Sequence, residues 1–408
     1  MSHSQFHEKS MNPARPINRA HNKITVPQAT QQKFDDGACV DSGTAYMKPS
    51  LQEQMVLQCQ TAFSGLINSS GSCDFILRRN SIHISQAATL RYSVRNDDSS
   101  NVVLPPAPLM IERVEVLSNG GSHQLQQLYG SDLMWNANLK DTPEHLTLQS
   151  NVMNTTATLG GGSAIAPAAT ASYIVPLKGS IFERELYMPC INDLTVRVHW
   201  NGYAEAGTLN IAITNLDCVI QAREVSKMEQ NDLKEKWQRK HQLRFYQTVQ
   251  HNISATLAAS TQYSYNLSGL QGLVNNFSLY VRTLALTSST NGRTIRDYVS
   301  NFEIKDAGGS NVIGGNVETS ANNRYINQAK WLPSTLANSH ALHFWSFAES
   351  PVQDWKVGSN TGFYPFEGSE TLTLTTNSSA TGSCQINFDC SVAHLISFDG
   401  TGNAMVQK

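Results

Sequence analysis

Five sequence elements occur in the same order in both halves of the chain, roughly 170 to 190 residues apart. In chain order, the pairs are VEV at 114 and FEI at 302, each followed by two glycines; the helix candidates LYGSDLMWNANLKD at 128 and SANNRYINQAKW at 320; IVPL at 174 and HFWSF at 343; LTVRVHW at 194 and TLTLTT at 371; and TLNIAITNLDCV at 208 and SCQINFDCSV at 383. Single short matches arise by chance, but five in one order rarely do. The order therefore indicates an internal duplication, which decides the architecture before any single motif does.

Short segments in both halves alternate apolar and polar residues and end at Gly, Asn, Pro or Ser, as in CDFIL at 73, RYSVRN at 91 and TLTLTT at 371. Period-two alternation bounded by turn residues predicts β-strands. Each half has around eight such strands in about 170 residues, which is typical of a jelly roll with two facing four-stranded sheets. The predicted fold class is all-β: two tandem eight-stranded jelly rolls (β-sandwiches) with short helices in loops and a linker helix.

A helix is predicted between the halves. Ser226-Lys-Met-Glu229 is a capping box, and Met228, Leu233 and Trp237 give the following segment an apolar side as far as about Lys240. Its charges are of mixed sign, which favours a solvated helix between two domains over a partner-binding helix. The predicted divisions are an extended basic arm at 1–50, a first jelly roll at 51–223, a linker helix at 224–242 and a second jelly roll at 243–408.

The first 50 residues are polar and contain Pro13, Pro16 and Pro27, a composition that cannot bury a core. Up to position 34, Glu8 is their only acidic residue. The basic residues are Lys9, Arg15, Arg19, Lys23 and Lys33. This one-sided charge predicts an extended arm that contacts a partner.

The whole chain has a net charge of −2 and only 15% charged residues, so no global feature indicates a nucleic-acid binder. Its seven cysteines form no CxxC pair and are odd in number, which favours free thiols in a reducing compartment over a disulfide framework or a zinc site. On one strand, Cys384 and Cys390 would share a face but lie too far apart to bond. The N-terminal residues lack the apolar region of a secretory signal, and no segment approaches the ~20 apolar residues of a membrane span.

No catalytic, cofactor or metal site is predicted, because the HExxH, GxSxG, GxxxxGK[ST] and GxGxxG motifs do not occur. His343 and Glu349 could form an acid/base pair, but a packed aromatic strand end is favoured. Asp97 and Asp98 could bind a metal, but a turn between strands is favoured. The glycine-rich segment at Gly160 has no lysine for a phosphate loop. The tryptophans at 200, 331, 345 and 355 are interpreted as core or interface anchors and not as a sugar-stacking platform.

The end of the first half, Tyr173–Phe182 (YIVPLKGSIF) and then Tyr187–Trp200 (YMPCINDLTVRVHW), resembles the double-jelly-roll major capsid proteins of icosahedral DNA viruses. That family typically shows a Tyr-x-x-Pro-Leu strand, a phenylalanine, a short proline-containing link and a strand along the barrel wall. The second half offers Leu342–Phe347 with Pro351, without a proline in the strand. The resemblance in layout covers roughly residues 55–400.

The resemblance implies a structural protein and not an enzyme, in which two barrels stand side by side and three chains form a pseudo-hexagonal capsomer of a virion shell assembled inside the host cell. It also implies homotrimers, neighbouring capsomers and penton or minor capsid proteins as partners, with an internal membrane or packaged DNA as further partners of the arm. Because lectins share the jelly roll, the alternative is a carbohydrate-binding or host-adhesion β-sandwich protein. An adhesin has little use for a basic N-terminal arm, which favours the shell protein.

Overall fold

Burial along the strands follows the alternation in the sequence. In the computed structural model, Val196, Val198 and Trp200 are 0% exposed, whereas Arg197 and His199 between them lie on the opposite face. Successive side chains of a strand point to opposite faces, so each strand offers one apolar face to a core. The structure describes residues 53–58, 71–78, 82–104, 107–130, 132–133, 153, 164–200, 211–225, 227–239, 242–283, 295–313, 318–319, 342–348, 362–398, 402 and 404–407.

The first jelly roll is built from strands listed here with their bounds: β1 (Glu53–Gln58), β2 (Ser72–Leu77), β3 (Ile82–Asn96), β4 (Val102–Val103), β5 (Ile111–Ser118), β6 (His123–Tyr129), β7 (Ala164–Ile165), β8 (Thr170–Pro176), β9 (Leu186–Tyr187), β10 (Leu194–Trp200) and β11 (Ile211–Glu224). The β3 sheet has the order β1-β11-β3-β8, with β9 also paired to β3. The β10 sheet has the order β2-β10-β5-β6, and β4 pairs with β7 separately. Helix α1 (Ala107–Met110) and two 3₁₀ turns, Ile181–Glu183 and Met188–Cys190, lie in the connections.

The second jelly roll contains β12 (Gln242–Leu257), β13 (Gln262–Asn266), β14 (Gln271–Thr283), β15 (Ile295–Arg296), β16 (Val299–Lys305), β17 (Glu318–Thr319), β18 (Leu342–Ser346), β19 (Tyr364–Glu367), β20 (Thr371–Thr376), β21 (Gly382–Phe398) and β22 (Ala404–Gln407). In its β14 sheet, β12, β21 and β14 pair in that order; β15, β18 and β19 also pair with β14, and β22 with β21. Its β20 sheet has the order β13-β20-β16-β17. All these pairings are antiparallel.

The two jelly rolls have the same topology. The eight main strands are β1, β2, β3, β5, β6, β8, β10 and β11 in the first, and β12, β13, β14, β16, β17, β18, β20 and β21 in the second. Numbered 1 to 8 along the chain, both sets pair in the orders 1-8-3-6 and 2-7-4-5. Four of the five repeated sequence pairs fall on equivalent strands: β5 and β16, β8 and β18, β10 and β20, and β11 and β21. The predicted all-β double jelly roll is confirmed.

The repeated glycines end the equivalent strands β5 and β16. Gly120 and Gly121 have φ angles of 68° and 88°, and Gly309 has a φ of 81°. Left-handed backbone of this kind is unfavourable for residues with a Cβ atom. The glycines therefore allow the tight turn that each strand enters.

The fifth repeated pair differs from the prediction. Leu128 and Tyr129, read as the start of a helix, are the last residues of β6. Gly130, Asp132 and Leu133 are helical, and the rest of this candidate lies outside the described residues. The β6 sequence, HQLQQLY, has three glutamines that obscure its alternation. The segment from 320 lies outside the described residues.

Helix α2 (Lys227–Arg239) connects β11 to β12, close to the predicted span. Leu233 packs with Tyr187 and Val225 of the first jelly roll, and Trp237 contacts Phe398 at 5.4 Å between ring centroids. The expectation that Met228 shares this apolar side is wrong, because the Met228 side chain is 57% exposed.

The geometry of the helix explains why Met228 is exposed. Met228 and Trp237 are nine residues apart, which at about 100° per residue places them on opposite sides of the helix. One side of the helix thus contacts the first jelly roll through Leu233, and contacts Phe398 of the second through Trp237. The capping residue Ser226 lies outside the described residues.

Candidate interaction surfaces

The basic arm residues Lys9, Arg15, Arg19, Lys23 and Lys33 lie outside the described residues, so their contacts stay a prediction. Glu349, the segment at Gly160, Trp331 and Trp355 also lie outside them.

The candidate catalytic and metal-binding residues that the structure describes lie in a core or in a turn. His343 is 1% exposed, and its ring lies 5.4 Å from that of Phe302 inside the second jelly roll. Asp97 forms an ion pair with Arg95, with 2.5 Å between Nε and Oδ1, in the turn after β3. The Asp98 N–H donates to Asn96 Oδ1 at 2.8 Å in the same turn. Among the described residues no three His, Cys, Asp or Glu side chains are grouped so as to hold a metal ion.

Both described tryptophans from the predicted anchor set pack against a core. Trp200 is 0% exposed and meets Tyr92 edge-on at 5.1 Å between ring centroids. Trp345 is partly buried against the core of the second jelly roll. The helices that the structure describes are all too short or too polar to cross a membrane.

The cysteines that the structure describes, Cys73, Cys190, Cys218, Cys384 and Cys390, are free thiols. Burial raises the pKa of Cys218 and of Cys390. A buried thiol with a raised pKa stays protonated and is a poor nucleophile. Cys218 and Cys390 therefore act as small apolar core residues. Cys39 and Cys59 lie outside the described residues.

The outer face of the β10 sheet carries a chain of charged side chains. Arg197 donates to both carboxylate oxygens of Asp74, at 2.7 and 2.8 Å. Glu115 accepts from Arg113 Nε at 2.9 Å and lies 3.0 Å from His199 Nε2. Burial opposes ionisation of Glu115, but the hydrogen bonds from His199 and Arg113 outweigh it and hold its pKa below the ordinary value. This face can make polar, charge-dependent contacts.

The equivalent face in the second jelly roll, on the β20 sheet, is mostly uncharged. Strand β20 alternates buried leucines with outward threonines, and the Thr373 hydroxyl lies 3.2 Å from that of Ser264. One ion pair, Lys305 to Glu303 at 2.9 Å, lies on the neighbouring strand β16. Because the two equivalent faces differ in charge, they cannot make identical contacts.

The two jelly rolls also pack against each other. Ile396, Phe398 and Ala404 of the second jelly roll belong to the apolar cluster of the first. Strands β12 and β22 lie against β6, the edge strand of the β10 sheet. The jelly rolls are therefore joined by an apolar contact as well as by α2.

A pair of buried carboxyl groups lies in this contact. Asp132, just after β6, is 5% exposed and accepts the Tyr129 N–H at 2.8 Å and a hydrogen bond from Thr248 on β12. Asp389 on β21 is 3% exposed and accepts the Tyr280 hydroxyl at 3.1 Å. Burial, and then the charge of Asp389, raise the pKa of Asp132 well above its usual value. This pair is distant in sequence, so no local motif could have identified it.

Comparisons with known proteins were made for sequence and structure separately. No family model matches the sequence, and no curated protein matches it. The structure is similar to solved viral capsid proteins. PBCV-1 VP54, fitted into a cryo-EM reconstruction of the virophage Sputnik, is 11% identical with a TM-score of 0.66, over 88% of this chain and 97% of that chain.

Two further structures show the same likeness. The Faustovirus major capsid protein is 10% identical with a TM-score of 0.55, over 85% of this chain and 90% of that chain. The mavirus major capsid protein is 12% identical with a TM-score of 0.51, over 87% of this chain and 90% of that chain. The resemblance seen in the sequence is confirmed at the level of the fold: this chain has the double-jelly-roll fold of viral major capsid proteins.

Proposed function

We propose that the chain is a major capsid protein whose trimers form pseudo-hexagonal capsomers of an icosahedral virion shell. The observation that carries the proposal is two jelly rolls of identical strand order, packed against each other in one chain. Six similar barrels from three chains can tile a near-hexagonal lattice while keeping closed three-fold symmetry. The structural likeness to capsid proteins along most of both chains supports the same role.

The proposal includes the division predicted from the sequence: an arm at 1–50, jelly rolls at 51–223 and 243–408, and a linker at 224–242. The end of β11 at Glu224 and the start of β12 at Gln242 support this division. The arm would lie on the inner side of the shell and use Lys9, Arg15, Arg19, Lys23 and Lys33 to contact neighbouring subunits, a membrane head-group layer or packaged DNA.

The partners in this proposal are two further copies of the chain, neighbouring capsomers and penton or minor capsid proteins. The protein would be located in the virion capsid, after assembly inside the host cell. Its role would be structural and not catalytic. The carbohydrate-binding alternative gains no support from the described tryptophans, because Trp200 is fully buried and Trp345 packs against a core.

The test is the assembly state of the purified full chain. We expect sedimentation to give a trimer and electron microscopy to show three-fold capsomers with six-lobed outlines. A stable monomer at high concentration, with no particles formed, would contradict the proposal.

A further inference from the structure

The β14 sheet of the second jelly roll is covered on its outer face, the face turned away from its own core. Asp389, Ser278 and Phe344 lie side by side across β21, β14 and β18. We call this set the seam row. Its members are 3%, 7% and 2% exposed. The charge of Asp389 acts there on Asp132 of the first jelly roll, and Asp132 accepts a hydrogen bond from Thr248 on β12.

The first jelly roll has the same row. Asp217, Arg91 and Ile174 lie side by side across β11, β3 and β8, the strands equivalent to β21, β14 and β18. We call this set the open row. The sequence marks the equivalence, because NLDCVI at 215 corresponds to NFDCSV at 387 and thus Asp217 to Asp389.

The two rows differ in exposure. The side chains of Arg91 and Asp217 are 39% and 24% exposed, and Ile174 is intermediate in burial. Arg91 donates to both oxygens of Asp217, at 2.8 and 2.9 Å, so the row carries a neutral ion pair beside an apolar side chain. Such a row suits a partly polar protein contact.

We infer that the open row is the surface that receives the second jelly roll of another copy of this chain. The inference rests on the proposed function. Within one chain, the edge of the first jelly roll at β6 lies against β12 and β22 of the β14 sheet, and Asp132 just after β6 interacts with Asp389 of the seam row. Between chains, the equivalent edge at β17 would cover the open row of the next copy.

If the contact within a chain is repeated between chains, it determines the symmetry of the assembly. A contact that joins two different surfaces is head-to-tail, and it forms a ring when its rotation closes. In a trimer, the contact within each chain alternates with the contact between chains around six barrels. A single chain therefore leaves the open row exposed, whereas in the trimer another copy would cover it.

The experiment compares two substitutions of an apolar residue by arginine. Ile174→Arg places a charge in the open row on a side chain that faces away from the core. Met228→Arg makes the same change at an exposed site on α2. We expect the wild type and M228R to sediment as trimers, and I174R to be a folded monomer with trimerisation weakened about 100-fold or more.

A second measurement does not depend on how I174R folds. Carbodiimide labelling of the wild-type protein should modify Asp217 less in the trimer than after dissociation by dilution, whereas exposed Asp232 on α2 should be labelled equally in both. A wild-type monomer would remove the proposed function and the inference with it. Wild-type and I174R trimers of equal stability, with equal labelling of Asp217 in both states, would overturn the assigned surface and leave the proposed function standing.

Discussion

The buried carboxyl pair between the jelly rolls allows us to predict how the free energy of unfolding depends on pH. In the folded chain, burial and the charge of Asp389 raise the pKa of Asp132, while its hydrogen bonds from Tyr129 and Thr248 act in the opposite direction. No cationic side chain that the structure describes acts on Asp132. Asp132 therefore keeps its proton at pH values where an ordinary aspartate has lost it.

The direction in which the free energy of unfolding changes with pH follows from proton linkage. In the unfolded chain Asp132 titrates near pH 4, whereas the folded chain keeps the proton to higher pH. Between these two values the folded state binds more protons, so the free energy of unfolding falls as the pH rises. One proton contributes a slope of at most about 1.4 kcal/mol per pH unit, and the slope vanishes above the folded pKa.

Asp132→Asn removes this linkage while keeping an oxygen that can accept the Tyr129 N–H. We expect the wild type to lose stability with rising pH more steeply than D132N, by up to about 1.4 kcal/mol per pH unit. Asp389→Asn should flatten the curve less than D132N does, because burial of Asp132, the larger cause of its raised pKa, remains. Urea unfolding at intervals from pH 5 to pH 8 measures all three.

Groups that the wild type and the variants have in common contribute equally to every curve and cancel in the comparison. Burial raises the pKa of the Tyr129 phenol and of the Cys390 thiol near the pair, so both ionise only at higher pH. Asp232→Asn on the exposed side of α2 is the matched control and should leave the slope unchanged. Parallel curves for wild type and D132N would show that Asp132 does not keep its proton in the folded chain.

Three further predictions concern packing and the arm. Leu233→Ala should lower the free energy of unfolding by about 2 to 3 kcal/mol, because it removes the buried anchor of α2, whereas Met228→Ala should change it by less than about 0.5 kcal/mol; chemical denaturation of both variants tests the assigned helix face. Phe277→Ala should cost about 3 to 5 kcal/mol, since Phe277 is 0% exposed and contacts Phe302 and Phe388, and a smaller loss would mean that the core collapses around the gap. Deleting residues 1–40 should leave the melting temperature nearly unchanged but reduce particle yield or salt tolerance; particles of normal yield and stability would show that the arm is dispensable.

Strands with a clear period of two could be predicted from the sequence. In β20 and β10 the apolar residues face a core and the polar ones do not, so the local pattern carries the answer. Strand β6 could not be found in this way. Its Gln126 is 0% exposed because the side chain donates to Gly179 O at 2.7 Å and accepts the Ile181 N–H at 2.8 Å. A buried glutamine satisfied by distant backbone looks like a surface residue in the sequence.

The contacts between the jelly rolls could not be predicted from the sequence either. Asp389 lies on β21 in an alternating pattern that marks its side as polar and outward, and the pattern is correct for the second jelly roll alone. Asp389 is nevertheless 3% exposed, and its charge acts on Asp132 of the other jelly roll. Periodicity reports which face a strand turns to its own core, but not what covers the opposite face.

The equivalent positions on β3 and β14 show how a duplicated fold can serve two different contacts. Both barrels keep an aspartate on the last main strand, at Asp217 and Asp389, but the neighbour in the row is Arg91 in the first barrel and Ser278 in the second. An arginine can neutralise the aspartate without any partner, whereas the aspartate beside serine is covered within the chain and meets the Asp132 carboxyl. A face that is covered as soon as the chain folds can keep a buried carboxyl group, such as that of Asp132, in its protonated form. A face that stays open until another copy binds is better served by an ion pair that is stable in water, and this difference accounts for the divergence of the two rows.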